Sequence, residues 1–258
     1  MFLHGREAYR RNSFFIVYNF YKNVLYVITQ YYFGFNSAFS GQTLYEAFIY
    51  QLYNVTMTSL PIMWYAVFDF EFFKERYMKN PYLYNIGLEK KCLNSWVFIK
   101  WIFYALWQGL VIYFVCIIAL LDPESEVFES GKSISFWASG HLVYGACVLV
   151  ANLVILHKFN NYDGYGQISV AMMMIAYFLV LFIESRMNLF PVVERIFDNM
   201  FSSLLMWVTL FFVCAQATVF ELMYRVINKI FLTKPQVQGY TPLVEESVHP
   251  DSKEGNRV

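Results

Sequence analysis

The sequence predicts an all-α fold, a polytopic membrane helix bundle of six transmembrane helices, and three observations carry that prediction. Hydrophobic residues make up 58% of the 258 residues and charged residues 15%, with a mean hydropathy of +0.41, whereas soluble domains carry about 25% charged residues. Apolar stretches matching the roughly 20 residues a helix needs to cross the hydrocarbon core recur six times. These stretches are long and continuous. A β-barrel would show segments of about ten residues in strict alternation, and lipid permits only those two solutions.

The first span is expected at 13 to 35. It follows a polar, arginine-bearing segment, Met1 to Asn12, and is too long and too aromatic for a cleavable leader, so it is expected to stay in the mature chain. A short Gly/Ser loop at 36 to 43 leads to the second span at 44 to 68, which contains Pro61. A longer polar loop with Pro81 and Gly87 covers 69 to 95. The remaining spans are expected at 96 to 121, 135 to 157, 164 to 184 and 200 to 224. One membrane domain thus accounts for 1 to 232. A flexible hydrophilic cytosolic tail with Pro235, Pro242 and Pro250 takes up 233 to 258. No repeat of 20 to 50 residues is present, which excludes a solenoid.

Six spans put both termini on one side, and that side would carry fourteen Lys and Arg against three on the other, with Lys22 and Lys100 left at membrane depth or its boundary. The bias predicts cytosolic termini. A net charge of zero and no basic patch interleaved with aromatics outside the lipid argue against nucleic acid. Cys92, Cys116, Cys147 and Cys214 form no CxxC pair and no ligand spacing with histidine, so neither a disulfide framework nor a metal site is expected. The sequon Asn54-Val55-Thr56 falls at membrane depth, out of reach of glycosylation. His141 and His157 stand at or near helix ends and read as packing or interfacial residues. Glu221 is placed to pair with Arg225 one turn later.

Lys22 is the first functional clue. It sits in an aromatic, apolar stretch without an acidic neighbour, and a lysine at mid-bilayer costs roughly 2.5–3.5 kcal/mol on insertion scales. Asn19, Asn23, Tyr26 and Gln30 follow helical spacing beside Lys22 and Thr29, giving the first helix a polar stripe. Gln51, Asn54, Thr58, Pro61 and Tyr65 give the second helix another. Pro61 cannot donate to the carbonyl of Met57, so that acceptor needs another partner. Two such stripes, one beside a helix break, can line a route for a polar group. Asn19, Thr29, Thr56 and Asn152 taken singly read more simply as interhelical hydrogen-bonding residues, at about 0.6 kcal/mol each.

The order of residues also carries a resemblance. His4-Gly5-Arg6, Tyr9, Arg11, Phe20-Tyr21-Lys22-Asn23, Phe33-Gly34-Phe35, Phe39 to Tyr45, Tyr53-Asn54-Val55, Thr58-Ser59-Leu60-Pro61 and Phe68-Asp69 resemble the fifth and sixth membrane helices of type-four P-type ATPases, the phospholipid flippases. Pro81, Leu83-Tyr84 and Gly87 resemble that family's loop before its seventh helix, and Asn152-Leu153 its eighth. The likeness is strong over 4 to 88, moderate to about 160 and thin beyond.

By resemblance, Lys22, Asn23 and Asn54 contact a phospholipid head group as it crosses between leaflets, with Thr58 and Asn19 as weaker candidates and Pro61 as the helix break. An ammonium and amides offer donors to an anionic phosphate or carboxylate. The family's Asp-Lys-Thr-Gly phosphorylation signature and nucleotide-binding domain do not occur in these residues. No cofactor is therefore expected in this chain. ATP and Mg would bind a separate partner chain, with the family's glycosylated accessory subunit as a further partner. The competing expectation is a structural subunit of a larger membrane complex, derived from a flippase fragment; a passive six-helix channel is a distant third.

Overall fold

The computed structural model describes residues 4–71, 87, 89–120, 136–160, 164–186, 196–227 and 230. Met1–Val219 forms one compact unit and Phe220–Val258 a second. The expected tail at 233–258 and most of the expected loop at 69–95, Pro81, Leu83 and Tyr84 included, lie outside the described residues.

The regular structure of the described residues is all helical: α1 (Gly5–Asn36), α2 (Ala47–Leu52), a π-helical turn (Tyr53–Met57), α3 (Ser59–Phe68), α4 (Ser95–Leu120), α5 (Phe136–Lys158), α6 (Gly164–Arg186), α7 (Ile196–Ser202) and α8 (Leu204–Ile227). Among the described residues four helices are long and apolar enough to cross a membrane, namely Ser95–Ala119 of α4 together with α5, α6 and α8. They match four of the six expected spans.

The other two expected spans are helical but take different forms. Helix α1 runs for 32 residues, about 48 Å at 1.5 Å per residue. That exceeds a hydrocarbon core of about 30 Å, so α1 continues past the expected start of its span into the arginine-bearing segment. The second span is not one helix: α2, the π turn and α3 follow one another, with Thr58 at φ −136° between the last two. The break precedes Pro61. That proline sits in the first turn of α3, where a missing N–H costs little.

Helix α5 is the centre of the first unit. Almost every residue from Ala138 to Ile155 is buried, as expected of a helix apolar on all sides. It packs against α1, α4 and α6. Gly140 permits the closest approach, since a Cβ there would stand 2.2 Å from the carbonyl oxygen of Leu44. Tyrosines fill the space between α1, the π turn and α5. Tyr26 stacks on Tyr45 at 4.5 Å and on Tyr53 at 4.2 Å, with Tyr144 edge-on to all three. Stacked and edge-on pairs add about 0.5–1.5 kcal/mol each beyond area burial. In the second unit, Arg225 Nε lies 3.7 Å from Glu221 Oε1, the expected i,i+4 pair.

Candidate functional site

Lys22 lies on the inward face of α1. The buried residues there are Tyr18, Tyr21, Lys22, Leu25, Tyr26 and Thr29, a spacing of three and four that places all six on one helix face. Lys22 is 3% exposed, and its ammonium donates to Thr58 Oγ1 at 2.9 Å. Thr58 is fully buried and passes a hydrogen bond on to the carbonyl of Tyr53, 2.8 Å away and five residues back. The Tyr53 hydroxyl closes the loop by donating to the Lys22 carbonyl at 3.1 Å. An ammonium has three donors. Only the bond to Thr58 is made among the described residues.

The π turn explains this geometry. One extra residue per turn displaces Thr58 from the register of α2 and frees the Tyr53 carbonyl from an α-helical partner. The expected free acceptor at Met57 is also present. Asn152 from α5 fills it, with Nδ2 3.0 Å from the Met57 carbonyl and 2.9 Å from that of Val148. Asn152 is fully buried, and Tyr18 donates to the next carbonyl, Ala151, at 2.9 Å. A charge, a hydroxyl, an amide and two tyrosines thus hold α1 and α5 on the irregular turn.

The other expected site residues do not join this knot. Asn23 and Asn54 are exposed, and neither side chain makes a hydrogen bond among the described residues. Asn19 is half-buried and turns back to its own helix, donating to the Phe15 carbonyl at 2.9 Å. Successive helical residues point 100° apart, so Lys22 facing inward obliges Asn23 to face away. Pro61 is buried in α3 and acts through the carbonyl it leaves free.

A second polar cluster gathers at the N-terminal end of α1. Arg10 donates to Asp69 Oδ2 at 2.8 Å, to Glu7 Oε2 at 2.8 Å and to the Tyr65 hydroxyl at 2.8 Å. Arg6 bridges Glu7 at 2.9 Å and Glu71 at 2.7 Å. Asp69 also accepts from the Asn160 backbone at 3.0 Å, and Arg11 donates to the Val67 carbonyl at 2.5 Å, capping α3. Burial opposes the charge of Arg10, but Tyr65, Glu7 and Asp69 outweigh it and raise the guanidinium's pKa above its ordinary value. A cleft of about 310 Å³ opens beside this cluster, lined by Arg10, Phe14, Tyr65, Trp101 and Lys158. The sequence offered only a hint here, Asp69 following Phe68; the arginines counted there toward the cytosolic side.

Of the two roles expected for the histidines, packing or interfacial, the structure gives His141 the first. His141 is 1% exposed within α5, and neither ring nitrogen has a hydrogen-bond partner. It is a core residue, not an interfacial one. Among the described residues no three His, Cys, Asp or Glu side chains are placed to hold a metal ion.

An all-helical, multi-pass bundle with a buried ammonium set on a broken helix defines an integral membrane protein. The family model described as phospholipid-translocating P-type ATPase, C-terminal, matches residues 1–234. The chain belongs to that family. Among curated relatives, it is 33% identical over 153 residues to a phospholipid-transporting ATPase of Schizosaccharomyces pombe, covering 59% of this chain and 12% of the relative. It is 33% identical over 154 residues to phospholipid-transporting ATPase IH of Mus musculus, covering 59% and 13%. It is 27% identical over 207 residues to phospholipid-transporting ATPase ID of Homo sapiens, covering 78% and 16%. The matched region spans about an eighth to a sixth of the length of these relatives.

Proposed function

We propose that this chain supplies part of the head-group pathway of a phospholipid flippase. The observation that carries the reading is the ammonium of Lys22, buried at 3% exposure with one hydrogen bond made of the three it can donate. A buried charge is costly unless paired. The two spare N–H groups suit the phosphate or carboxylate of a passing head group. Asn23 and Asn54, exposed and without hydrogen bonds among the described residues, offer amides along the outer surface of α1 and the π turn. A head group travelling along that surface meets the amides first and draws the Lys22 ammonium outward on its four-carbon stem. Thr58 takes a larger role than the resemblance gave it, because it holds the ammonium between passages.

In this reading ATP and Mg act on phosphorylation and nucleotide-binding domains held by a separate partner chain. A glycosylated accessory subunit completes the assembly, both termini face the cytosol, and the substrate is a phospholipid. A structural subunit is the second reading, favoured by one observation: Thr58 and Asn152 pin the π turn as firmly as a scaffold would need.

Purification from native membranes in mild detergent tests between them. A complex containing a polypeptide with the Asp-Lys-Thr-Gly signature and lipid-stimulated ATP hydrolysis supports the flippase. A complex without either sinks it and leaves the scaffold.

A further inference from the structure

Helix α1 ends in a backbone that side chains rarely adopt. Ala38 and Phe39 both have positive φ, 50° and 53°, in the left-handed region where glycine is the usual residue after a helix. Three hydrogen bonds hold the turn: the Ala38 N–H donates to the Phe35 carbonyl at 3.3 Å, the Phe39 N–H to that of Gly34 at 2.8 Å, and the Ser40 N–H to that of Ser37 at 3.0 Å. The turn folds the Phe39 ring back onto the helix, where Gly34 is its seat: a Cβ there would stand 2.8 Å from Phe39 Cε1. Glycine weakens a helix interior, and left-handed backbone strains a residue that carries a side chain. Both costs serve to put one phenylalanine in this place.

The ring so placed is not taken into the core. Phe39 joins Tyr31 and Phe35, and all three are more than half exposed. Their ring centroids lie 5.0 Å apart for Tyr31 and Phe35, 5.3 Å for Phe35 and Phe39, and 6.2 Å for Tyr31 and Phe39. Tyr31 and Phe35 stand one turn apart on the same helix face. The Tyr31 hydroxyl makes no hydrogen bond among the described residues.

The neighbouring span α5 gives this cluster its level. Lys158, the last residue of α5, lines the same cleft as Arg10 of α1, and Phe136, its first, meets Phe33 of α1 with ring centroids 5.5 Å apart. The 23 residues of α5 rise about 35 Å at 1.5 Å each. That is more than a hydrocarbon core of about 30 Å and less than the roughly 40–45 Å that includes the head-group regions. Phe33 therefore stands in the head-group layer opposite the arginines, between Tyr31 and Phe35 along the helix.

We propose that Tyr31, Phe35 and Phe39 form an aromatic clip that seats α1 in the head-group layer of the bilayer, at the end away from Arg6 and Arg10. Rings with apolar bodies and, in Tyr31, a polar tip suit that layer. The strained turn and the glycine seat make the clip preformed. It fixes the depth of α1 and with it the level of Lys22, on the same helix. The inference rests on the membrane-spanning class of the chain and is independent of the lipid-transport reading.

Tryptophan at these positions tests it. Full-length Phe39→Trp and Phe35→Trp chains are reconstituted separately in phosphatidylcholine nanodiscs, whose two faces are open to solvent, and the added emission is read as the difference from the parent chain. Phosphatidylcholine brominated beside its ester carbonyls is expected to quench both added indoles about twofold or more strongly than lipid brominated at the chain ends, roughly 15 Å deeper at the midplane. Aqueous iodide is expected to quench them weakly. Equal or stronger quenching by the chain-end bromines places the rings in hydrocarbon and overturns the clip. Quenching by iodide alone places them in water, and quenching by none of the three shows that protein covers them; either result overturns it as well. Phe35→Trp lies on regular helix and carries the test should the Phe39 variant fail to fold. Adding Gly34→Ala to Phe39→Trp removes the seat and is expected to raise iodide quenching of the added indole. An unchanged response means that the turn does not hold the ring, and overturns the clip.

Discussion

Replacing Lys22 by leucine separates a transport residue from a structural one, because the two roles predict opposite changes in stability and activity. Leucine removes an ammonium whose cost at bilayer depth is roughly 2.5–3.5 kcal/mol. It also removes one interhelical hydrogen bond, worth about 1–2 kcal/mol by model-peptide measurements. The Thr58 hydroxyl keeps its own acceptor, the Tyr53 carbonyl at 2.8 Å, so the substitution orphans no buried donor. The net expectation is a chain more stable by about 1 kcal/mol. Activity should move the other way. A hydrogen bond to a charged group contributes about 1.5–3 kcal/mol and 1.4 kcal/mol is a factor of ten, so lipid-stimulated ATP hydrolysis should fall by about tenfold or more. Unfolding in graded sodium dodecyl sulfate reads the stability, and the reconstituted assembly reads the hydrolysis. A variant that loses stability while keeping its lipid stimulation would refute the reasoning and make Lys22 a structural pin.

Four further outcomes follow from the packing. Asn152→Leu leaves the Met57 carbonyl without its donor in a fully buried setting; the same unfolding assay should show a loss of about 1–2 kcal/mol, and an unchanged midpoint would mean that water replaces the amide. Arg10→Met strips the guanidinium from Glu7 and from Asp69, whose side chain has 0% exposure, and breaking a buried pair from one side costs about 3–5 kcal/mol, read as a lower thermal midpoint in detergent. Gly140→Ala forces a Cβ to within 2.2 Å of the Leu44 carbonyl, so it should destabilise by about 1–3 kcal/mol as overpacking does. Gly164→Ala, with nothing within 4 Å, should be near neutral in the same assay.

The helical class was legible because the lipid solvent enforces it: continuous apolar runs admit few other structures. Four spans came through nearly at their expected bounds. The N-terminal end of α1 did not, because Arg6, Glu7 and Arg10 look solvated in sequence, and only their pairing with Asp69 and Glu71 reveals that they are buried. The π turn was hidden as well. Its one-residue insertion leaves composition untouched and shifts only the register, so Thr58 faces Lys22 while Asn54 does not.

The free Met57 carbonyl was foreseeable from Pro61, since a missing donor is a covalent fact, but its partner was not. Asn152 comes from 95 residues away. The polar stripe of α1 was drawn too wide: Tyr26 and Thr29 belong to the buried face, whereas Asn23 lies beyond its edge. Glu184 illustrates the same limit. No motif singles it out in the sequence, and only tertiary packing shows that it is buried at 4% exposure.

The most direct test of the central claim is a density map of the complete assembly in lipid, trapped with substrate. The account predicts a head-group phosphate or carboxylate within hydrogen-bonding distance of Lys22 Nζ, reached from the surface that carries Asn23 and Asn54. An ammonium enclosed by protein acceptors on all three N–H groups, with no opening to either leaflet, would contradict it.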